Sequence, residues 1–196
     1  MLVLGNGESR QHINIDKIEG VKVGCNAILR DYRIDHLVCV DRKMVREAID
    51  SGYNEHSLIY TRSDWYKQFS DVKHIRTVPE LPEAGYEKQD DPFHWGSGPY
   101  AVLLGAQLAE GEFIQLLGFD LYGLKDGKIN NLYKDTDNYN ASFKKAVDPR
   151  FWVYQIGKVF EWFPTTNFQI FCEQGWALPK EWKKPNVVLD NINDIL

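Results

Sequence analysis

The stretch from Trp95 to Asp120, WGSGPYAVLLGAQLAEGEFIQLLGFD, decides the fold. Ser97 predicts a helix N-cap, because a serine side chain accepts a free N–H of the first helical turn. The helix that follows, to Ala109, has no charged residue and several small ones, which is typical of a helix lying close against a sheet. Gly111 predicts a left-handed C-cap. The apolar run 113–117 then predicts a strand covered on both faces.

The two ends of this stretch predict a ligand site. Gly118, Phe119 and Asp120 follow the strand at its carboxyl end, where open α/β sheets bind their ligands. At the helix entrance, Gly96, Ser97 and Gly98 offer backbone N–H groups that suit an anion. Packing alone explains the small helical residues, but it does not explain why Trp, Gly, Ser and Gly are crowded at this entrance.

A glycine-rich turn follows the first predicted strand, Leu2–Leu4. Gly5, Asn6 and Gly7 predict a backbone that approaches a ligand closely or takes a positive φ. The turn is not the dinucleotide fingerprint, because Arg10 replaces the third glycine, and no Gly-Lys-Ser/Thr follows as in a Walker loop. Two interpretations of this segment remain open, a tight strand-to-helix turn and a phosphate-binding loop.

Polar residues also end the next two predicted strands, which span 21–26 and 36–41. Asn26 and Asp41 thus occupy the same position in their β–α units as Asn6 does in the first. Such residues cap helices well, which is the alternative reading. Three polar residues at equivalent strand ends favour a binding site at the carboxyl edge of a doubly wound sheet.

The rest of the chain predicts further α/β units. The predicted elements are strands at 57–61, 72–78 and 168–172, helices at 42–51 and 148–163, lid-like loops at about 79–96 and 121–147, and a short capping helix at the end of the tail, LDNINDIL. We therefore expect one three-layer α/β/α Rossmann-like domain over residues 1–196, with a mostly parallel sheet.

Composition narrows the class of protein. The 196 residues are 43% hydrophobic and 13% aromatic, which favours a folded globule. A net charge of −5 argues against a nucleic acid partner. Three cysteines without a CxxC spacing fit a reducing compartment, and no apolar run approaches the length of a membrane span, so we expect a cytoplasmic protein with no membrane partner. The aromatic run after Asp148 suits either an acceptor site or a subunit interface, which leaves a homo-oligomer open.

Few residues elsewhere have the spacing of a known catalytic motif. The five histidines match no metal-binding pattern, and His94, beside the central stretch, is either a general base or a packing residue. Asp135 and Asp137 match the D-x-D by which some sugar transferases hold Mg²⁺, although this pattern is common by chance. Tyr122 and Tyr133 either donate to phosphate oxygens without a metal or pack on the sheet.

The ordered set LVLGNGES, VGCNAI, LVCVD, WGSGPY and IQLLGFDLYG resembles the bacterial lipooligosaccharide sialyltransferase family. It is also similar to MptE-like pterin pyrophosphokinases, to motility-accessory glycosylation proteins, and to short, often phage-borne proteins. The resemblance to the transferases covers roughly residues 2–122.

The resemblance implies a Rossmann-like domain that binds a cytidine monophosphate sugar as substrate, without a metal or other cofactor. Asn6 and Gly7, with Gly5 in the same turn, would approach the phosphate. The remaining contacts implied are Asn26 and Asp41 to the nucleotide or sugar, Ser97 and Gly98 to the nucleotide, and Tyr122 and Tyr133 to the phosphate. Asp41 departs from the usual Asn, and the spacing to Tyr133 is longer than in the family.

Two further departures concern the reaction. The transferases use a histidine after the Gly-x-Asp strand as general base, and no histidine follows His94 here. Asp120, Asp41 or His94 then takes the proton, or the reaction differs, or there is none. Glu8 stands where the family has Pro, and its charge would repel an anionic donor unless Arg10 offsets it.

Three hypotheses follow for the function. The first is a metal-independent, nucleotide-sugar-dependent glycosyltransferase. The second is a diphosphotransferase of the pterin pyrophosphokinase type, which requires Mg²⁺ held by a pair such as Asp41 with Asp120 or Asp135 with Asp137. The third is a non-catalytic nucleotide-binding or interaction domain.

Overall fold

The computed structural model describes residues 1–195 and contains one sheet of eight parallel strands in the order β5-β4-β3-β2-β1-β6-β7-β8. The strands are β1 Leu2–Leu4, β2 Lys22–Cys25, β3 His36–Val38, β4 Leu58–Thr61, β5 Ile75–Thr77, β6 Phe113–Leu117, β7 Asn167–Cys172 and β8 Val187–Asn191. The α-helices are α1 Arg42–Asp50, α2 Ser63–Gln68, α3 Ser97–Leu108 and α4 Arg150–Trp162. The predicted α/β class and the parallel sheet are confirmed.

Helices cover both faces of the sheet, because alternate strand residues point to opposite sides. Val3 of β1 packs into a core with α3 and α4, whereas Leu2 and Leu4 pack into a second core with α1 and with Phe69, which follows α2. Every one of these strand residues is essentially inaccessible to solvent. The order of layers is therefore helix, sheet, helix.

The uncharged helix α3 lies directly on the central strands, as its small residues predict. A Cβ built on Gly105 would come within 2.6 Å of a Val3 methyl group, so the helix could not approach β1 this closely with a larger residue there. The prediction of a helix in close contact with the sheet is confirmed.

The predicted caps of α3 are wrong in detail. Gly96 is the N-cap, and Ser97 is the first helical residue, so its side chain is free to bond elsewhere. At the other end, Ala109 caps the helix in a right-handed conformation. Gly111 does have a positive φ of 90°, but it lies in the turn beyond the helix, after Glu110.

The capping helix predicted for the tail is also wrong where it overlaps β8. Residues up to Asn191 add a parallel strand to β7, with Phe168 opposite Val187. β-Branched residues at the start of this segment favour an extended strand. Only a single 3₁₀ turn, Ile192–Asp194, follows. Among the described residues, none of the helices has both the length and the apolar composition needed to cross a bilayer.

Candidate functional site

A cavity of about 430 Å³ opens at the carboxyl ends of the central strands. The strand order reverses direction between β1 and β6, and doubly wound folds bind ligands at this switch point. The cavity brings together nine residues that the sequence selected: Gly5, Asn6, Gly7, Asn26, Asp41, His94, Ser97, Gly98 and Asp120.

The turn after β1 is fixed against the end of β6. The N–H of Gly5 donates to Leu117 at 2.8 Å, and the N–H of Gly7 donates to Gly118 at 2.9 Å. A Cβ built on Gly7 would come within 2.3 Å of the carboxylate carbon of Asp120, so a larger residue there would displace that carboxylate. The turn is therefore a rigid wall of the cavity.

The side chain of Asn6 is occupied within the protein. Its amide nitrogen donates to the carbonyl of Cys25 at 3.1 Å and lies 3.4 Å from the hydroxyl of Tyr139. Its amide oxygen accepts from Arg10 at 3.4 Å. Asn6 thus ties the end of β1 to the end of β2.

Ser97 fastens the start of α3 to two strand ends. Its hydroxyl accepts the N–H of Val40 at 3.0 Å and donates to the amide oxygen of Asn26 at 2.9 Å. Asn26 has a positive φ of 51°, and this bond holds its side chain beside the helix. The hydroxyl proton is therefore not available to a ligand.

The helix entrance offers a ligand backbone N–H groups rather than side-chain donors. The N–H of Gly96 is taken by Gln155 at 3.4 Å, and Pro99 has no N–H. Within the part of the chain that the structure describes, the N–H groups of Ser97 and Gly98 have no acceptor. These two N–H donors and the positive end of the helix dipole therefore favour the binding of an anion at the helix entrance.

A buried guanidinium lies behind the glycine turn. Arg10 is 2% exposed, and it donates to the carbonyl of Gly5 at 2.7 Å and to the hydroxyl of Tyr133 at 3.2 Å. It forms no ion pair with any of residues 1–195. Glu8 forms its ion pair with Lys134, at 2.6 Å, and not with Arg10, the residue named from the sequence as a possible offset to its charge. Arg10 does not line the cavity itself, and its positive charge lies behind the turn that does.

Asp120 is held at the switch point by Ser9. One carboxylate oxygen accepts the N–H of Ser9 at 2.9 Å, and the other accepts the hydroxyl of Ser9. Each oxygen retains a further lone pair. The backbone carbonyl of Asp120 accepts the indole N–H of Trp176 at 2.7 Å, which fixes the residue from the other side.

Asp41 and His94 lie at the opposite end of the cavity. Asp41 precedes α1 in the N-cap position, but its side chain makes no capping bond, so the helix-cap alternative does not describe it. Nδ1 of His94 lies 3.0 Å from the carboxylate of Asp91. The pKa of Asp91 is lowered, first by the N–H of Phe93 and then by His94. When the shared proton sits on Nδ1, the second nitrogen of His94 is free to accept a hydrogen bond.

Several cavity residues were not selected from the sequence, among them Arg62, Asn130, Asn131 and Trp152. Arg62 pairs with Asp64 at 2.6 Å and lies over the ring of Phe93 at 5.4 Å. Arg62 follows β4 directly and is in register with Val40 rather than with Asp41, so the strand-end pattern does not mark it. The other three come from a loop and a helix that only tertiary packing brings to the site.

Comparison of the chain with protein-family models, with curated proteins and with solved structures gave no match. The site must therefore be interpreted from its own geometry.

The two predicted phosphate tyrosines do not line this cavity. The hydroxyl of Tyr122 donates to the carbonyl of Ala177 at 2.9 Å, and burial raises its pKa. Tyr133 is buried, and its hydroxyl donates to Asp31 at 2.7 Å. Burial is also the main cause that raises the pKa of Tyr133.

Neither candidate metal pair comes together in this cavity. Asp135 accepts the N–H of Ser142 at 2.7 Å, and neither it nor Asp137 borders the cavity. Asp41 and Asp120 follow β3 and β6, which are three strand spacings apart, or about 14 Å. Among residues 1–195, no group of three or more His, Cys, Asp or Glu side chains has the arrangement of a metal site.

Both predicted lid loops border the cavity and are tied down elsewhere. Trp95 is buried, stacks on Trp162 at 5.6 Å and donates to the carbonyl of Gln89 at 3.0 Å. In the second loop, the N–H of Leu132 donates to the carbonyl of Asn6 at 2.9 Å. The loops are thus structured walls of the site.

Proposed function

We propose that this protein transfers a sugar from a nucleotide donor without a metal ion. The observation that carries the proposal is the pair of unpartnered N–H groups on Ser97 and Gly98, at a helix entrance inside the switch-point cavity. These donors and the helix dipole favour a phosphate at that point, and the buried Arg10 adds a positive charge behind the glycine turn at the same edge of the sheet. The resemblance to the sialyltransferase family supports the same assignment.

In this proposal the phosphate is the leaving group. As the bond between the anomeric carbon and the phosphate oxygen breaks, its electron pair stays with the nucleotide. Donors fixed before the reaction stabilise the developing charge without reorganising. Ser97 serves the reaction indirectly, because its hydroxyl anchors the start of α3 to Val40 and Asn26.

The nucleoside would occupy the end of the cavity formed by Asp41, Arg62, Phe93 and His94. Phe93 is half exposed and offers a ring face for stacking, and Asp41 has no helix-capping role that would compete with a ribose hydroxyl. Asp120 lies at the other end of the phosphate site. A hydroxyl that attacks the anomeric carbon would pass its proton to this carboxylate.

The magnesium-dependent alternative has less support. A cation with oxygen ligands at 2.0–2.6 Å needs carboxylates within a few ångströms of one another. Asp41 and Asp120 are held on separate strands, and Asp120 is already bonded to Ser9. A domain that binds a nucleotide without turnover would keep the phosphate site and lack transfer.

A matched pair of substitutions tests the phosphate site. Gly98→Pro removes one N–H from the first helical turn, where proline is tolerated. Gly98→Ala keeps that N–H, and its added Cβ would lie 3.6 Å from the ring of Phe119, an ordinary contact. We expect CMP to raise the melting temperature of the wild-type protein and of Gly98→Ala in the presence of EDTA. Gly98→Pro should bind CMP at least about tenfold more weakly, since a hydrogen bond to a charged group contributes about 1.5–3 kcal/mol.

The same titration separates the alternatives. Stabilisation by nucleoside triphosphate only with Mg²⁺ would favour diphosphate transfer. Equal CMP affinity in the two Gly98 variants would contradict the assignment of the helix entrance. Stabilisation by none of CMP, CDP, UDP, GDP or ATP would reject nucleotide binding altogether.

A further inference from the structure

A second cavity, of about 670 Å³, adjoins the first on the other side of the switch point. It lies beyond the carboxyl ends of β6 and β7. The two cavities share three lining residues, Phe119, Asp120 and Asn130. The carboxylate of Asp120 therefore stands between two adjoining spaces, each large enough for a small molecule.

The second cavity presents aromatic faces whose polar tips are already occupied. The rings of Tyr122 and Trp176 lie 6.0 Å apart, tilted by 45°. The hydroxyl of Tyr122 donates to Ala177, and the indole N–H of Trp176 donates to the backbone of Asp120. Because these groups are bonded to backbone carbonyls, the side chains offer a ligand mainly their ring surfaces. Such surfaces suit the flat face of a ring.

Charge further restricts the ligand. Asp120, Asp126 and Glu173 line the second cavity, Lys125 is the basic residue of its lining, and Lys128 pairs with Asp126 at 2.7 Å, so three acidic side chains face two basic ones. An anionic ligand would meet net repulsion here. The first cavity is different, because the helix entrance favours an anion there.

We propose that the second cavity binds the acceptor, an uncharged ring compound that carries a hydroxyl group, such as a neutral sugar. The role of this alcohol as acceptor rests on the proposed function, whereas its binding in the second cavity does not. The hydroxyl enters at Asp120, between Tyr122 and the phosphate site. In the transfer, the acceptor oxygen bonds to the anomeric carbon and its proton passes to Asp120, while the phosphate leaves with the electron pair. Tyr122 thus belongs to the acceptor side.

Indole N–H signals in a ¹⁵N-correlated NMR spectrum test both cavities at once. Trp152 lines the first cavity and Trp176 the second, and each is assigned by the signal that disappears in Trp152→Phe or Trp176→Phe. The probes are methyl β-glucoside and methyl β-galactoside, with methyl β-glucuronide as an anionic match of the same ring shape. CMP is the probe of the first cavity.

We expect the neutral glycosides to shift the Trp176 signal and to leave Trp152 unchanged, whereas CMP shifts Trp152. The glucuronide should bind at least about tenfold more weakly than the glucoside, a difference of about 1.4 kcal/mol. No Trp176 shift with any neutral glycoside would overturn the inference, as would tighter binding of the glucuronide. Glycoside shifts at Trp176 without any response to CMP would leave the second cavity standing and reject the nucleotide site.

Cys172 provides an independent check. It lines the second cavity and is partly exposed, whereas Cys25 and Cys39 are buried. Burial raises the pKa of Cys172, so a bulky methanethiosulfonate should be applied at mildly alkaline pH. Labelling should abolish the glycoside shift and preserve the CMP shift, with reagent-treated Cys172→Ser as the control. A glycoside shift that survives complete labelling would contradict the location.

Discussion

Removal of the Ser97 hydroxyl should loosen the phosphate site by releasing the start of α3. In Ser97→Ala, the N–H of Val40 loses its acceptor and the amide oxygen of Asn26 loses its donor. Ser97 is 5% exposed and Val40 is 6% exposed, so water replaces these bonds poorly. A buried polar group left unpaired costs about 1–3 kcal/mol. We therefore expect the free energy of unfolding to fall by about 2 kcal/mol.

Equilibrium urea unfolding measures this loss directly. At this chain length, each kcal/mol lowers the melting temperature by about 2–4 °C, so we expect a decrease of about 4–8 °C. Ser97→Thr keeps the hydroxyl and should recover part of the stability. Ser70→Ala removes an exposed hydroxyl and should stay within about 0.5 kcal/mol of the wild-type protein. If Ser97→Ala is as stable as Ser70→Ala, the hydroxyl does not fasten the helix to the strand ends, and the reasoning is refuted.

Two other changes test the packing and the electrostatics. Gly105→Ala places a methyl group 2.6 Å from Val3. The cost of overpacking, about 1–3 kcal/mol, should exceed the stability gained from the higher helix propensity of alanine, so the melting temperature should fall. An unchanged or higher melting temperature would show that α3 can move away from the sheet. The hydrogen bond from Arg30, at 2.6 Å, lowers the pKa of Glu47, so its stabilisation is present above the unfolded pKa of about 4.3 and is lost as the pH falls through the lower folded value. Urea unfolding of Glu47→Gln should show a deficit at pH 7 that shrinks toward acid, whereas exposed Glu19→Gln should show none; a deficit independent of pH would contradict the assignment.

The positions of the strand-end residues could be predicted because parallel strands align their carboxyl ends at one edge. Local sequence marks each of Asn6, Asn26 and Asp41, and the sheet alone brings them together. Their bonds could not be predicted in the same way. Asn6 and Ser97 were selected as ligand contacts, yet their side chains are used to join strand ends and a helix. That distinction depends on distances between segments that are remote in sequence.

Loop residues were the hardest to place, because no periodicity fixes where a long loop runs. Tyr122 was selected for the first cavity but lines the second, and Asn130 was missed although it borders both. Trp152 belongs to a helix whose aromatic content suggested either an acceptor site or an interface. Only the packing of α4 against α3 brings this one ring to the cavity.

The position of β1 in the sheet has a consequence for how the chain folds. β1 precedes both of its neighbours in the chain, and one of them, β6, begins only at Phe113. Until that segment leaves the ribosome, β1 is an apolar strand with an open edge, the kind of edge that recruits other chains. Closure of that edge requires contacts of long sequence separation, which form slowly. Nascent chains that stop before β6 should therefore aggregate or recruit chaperones, and the switch-point site should be among the last features to form.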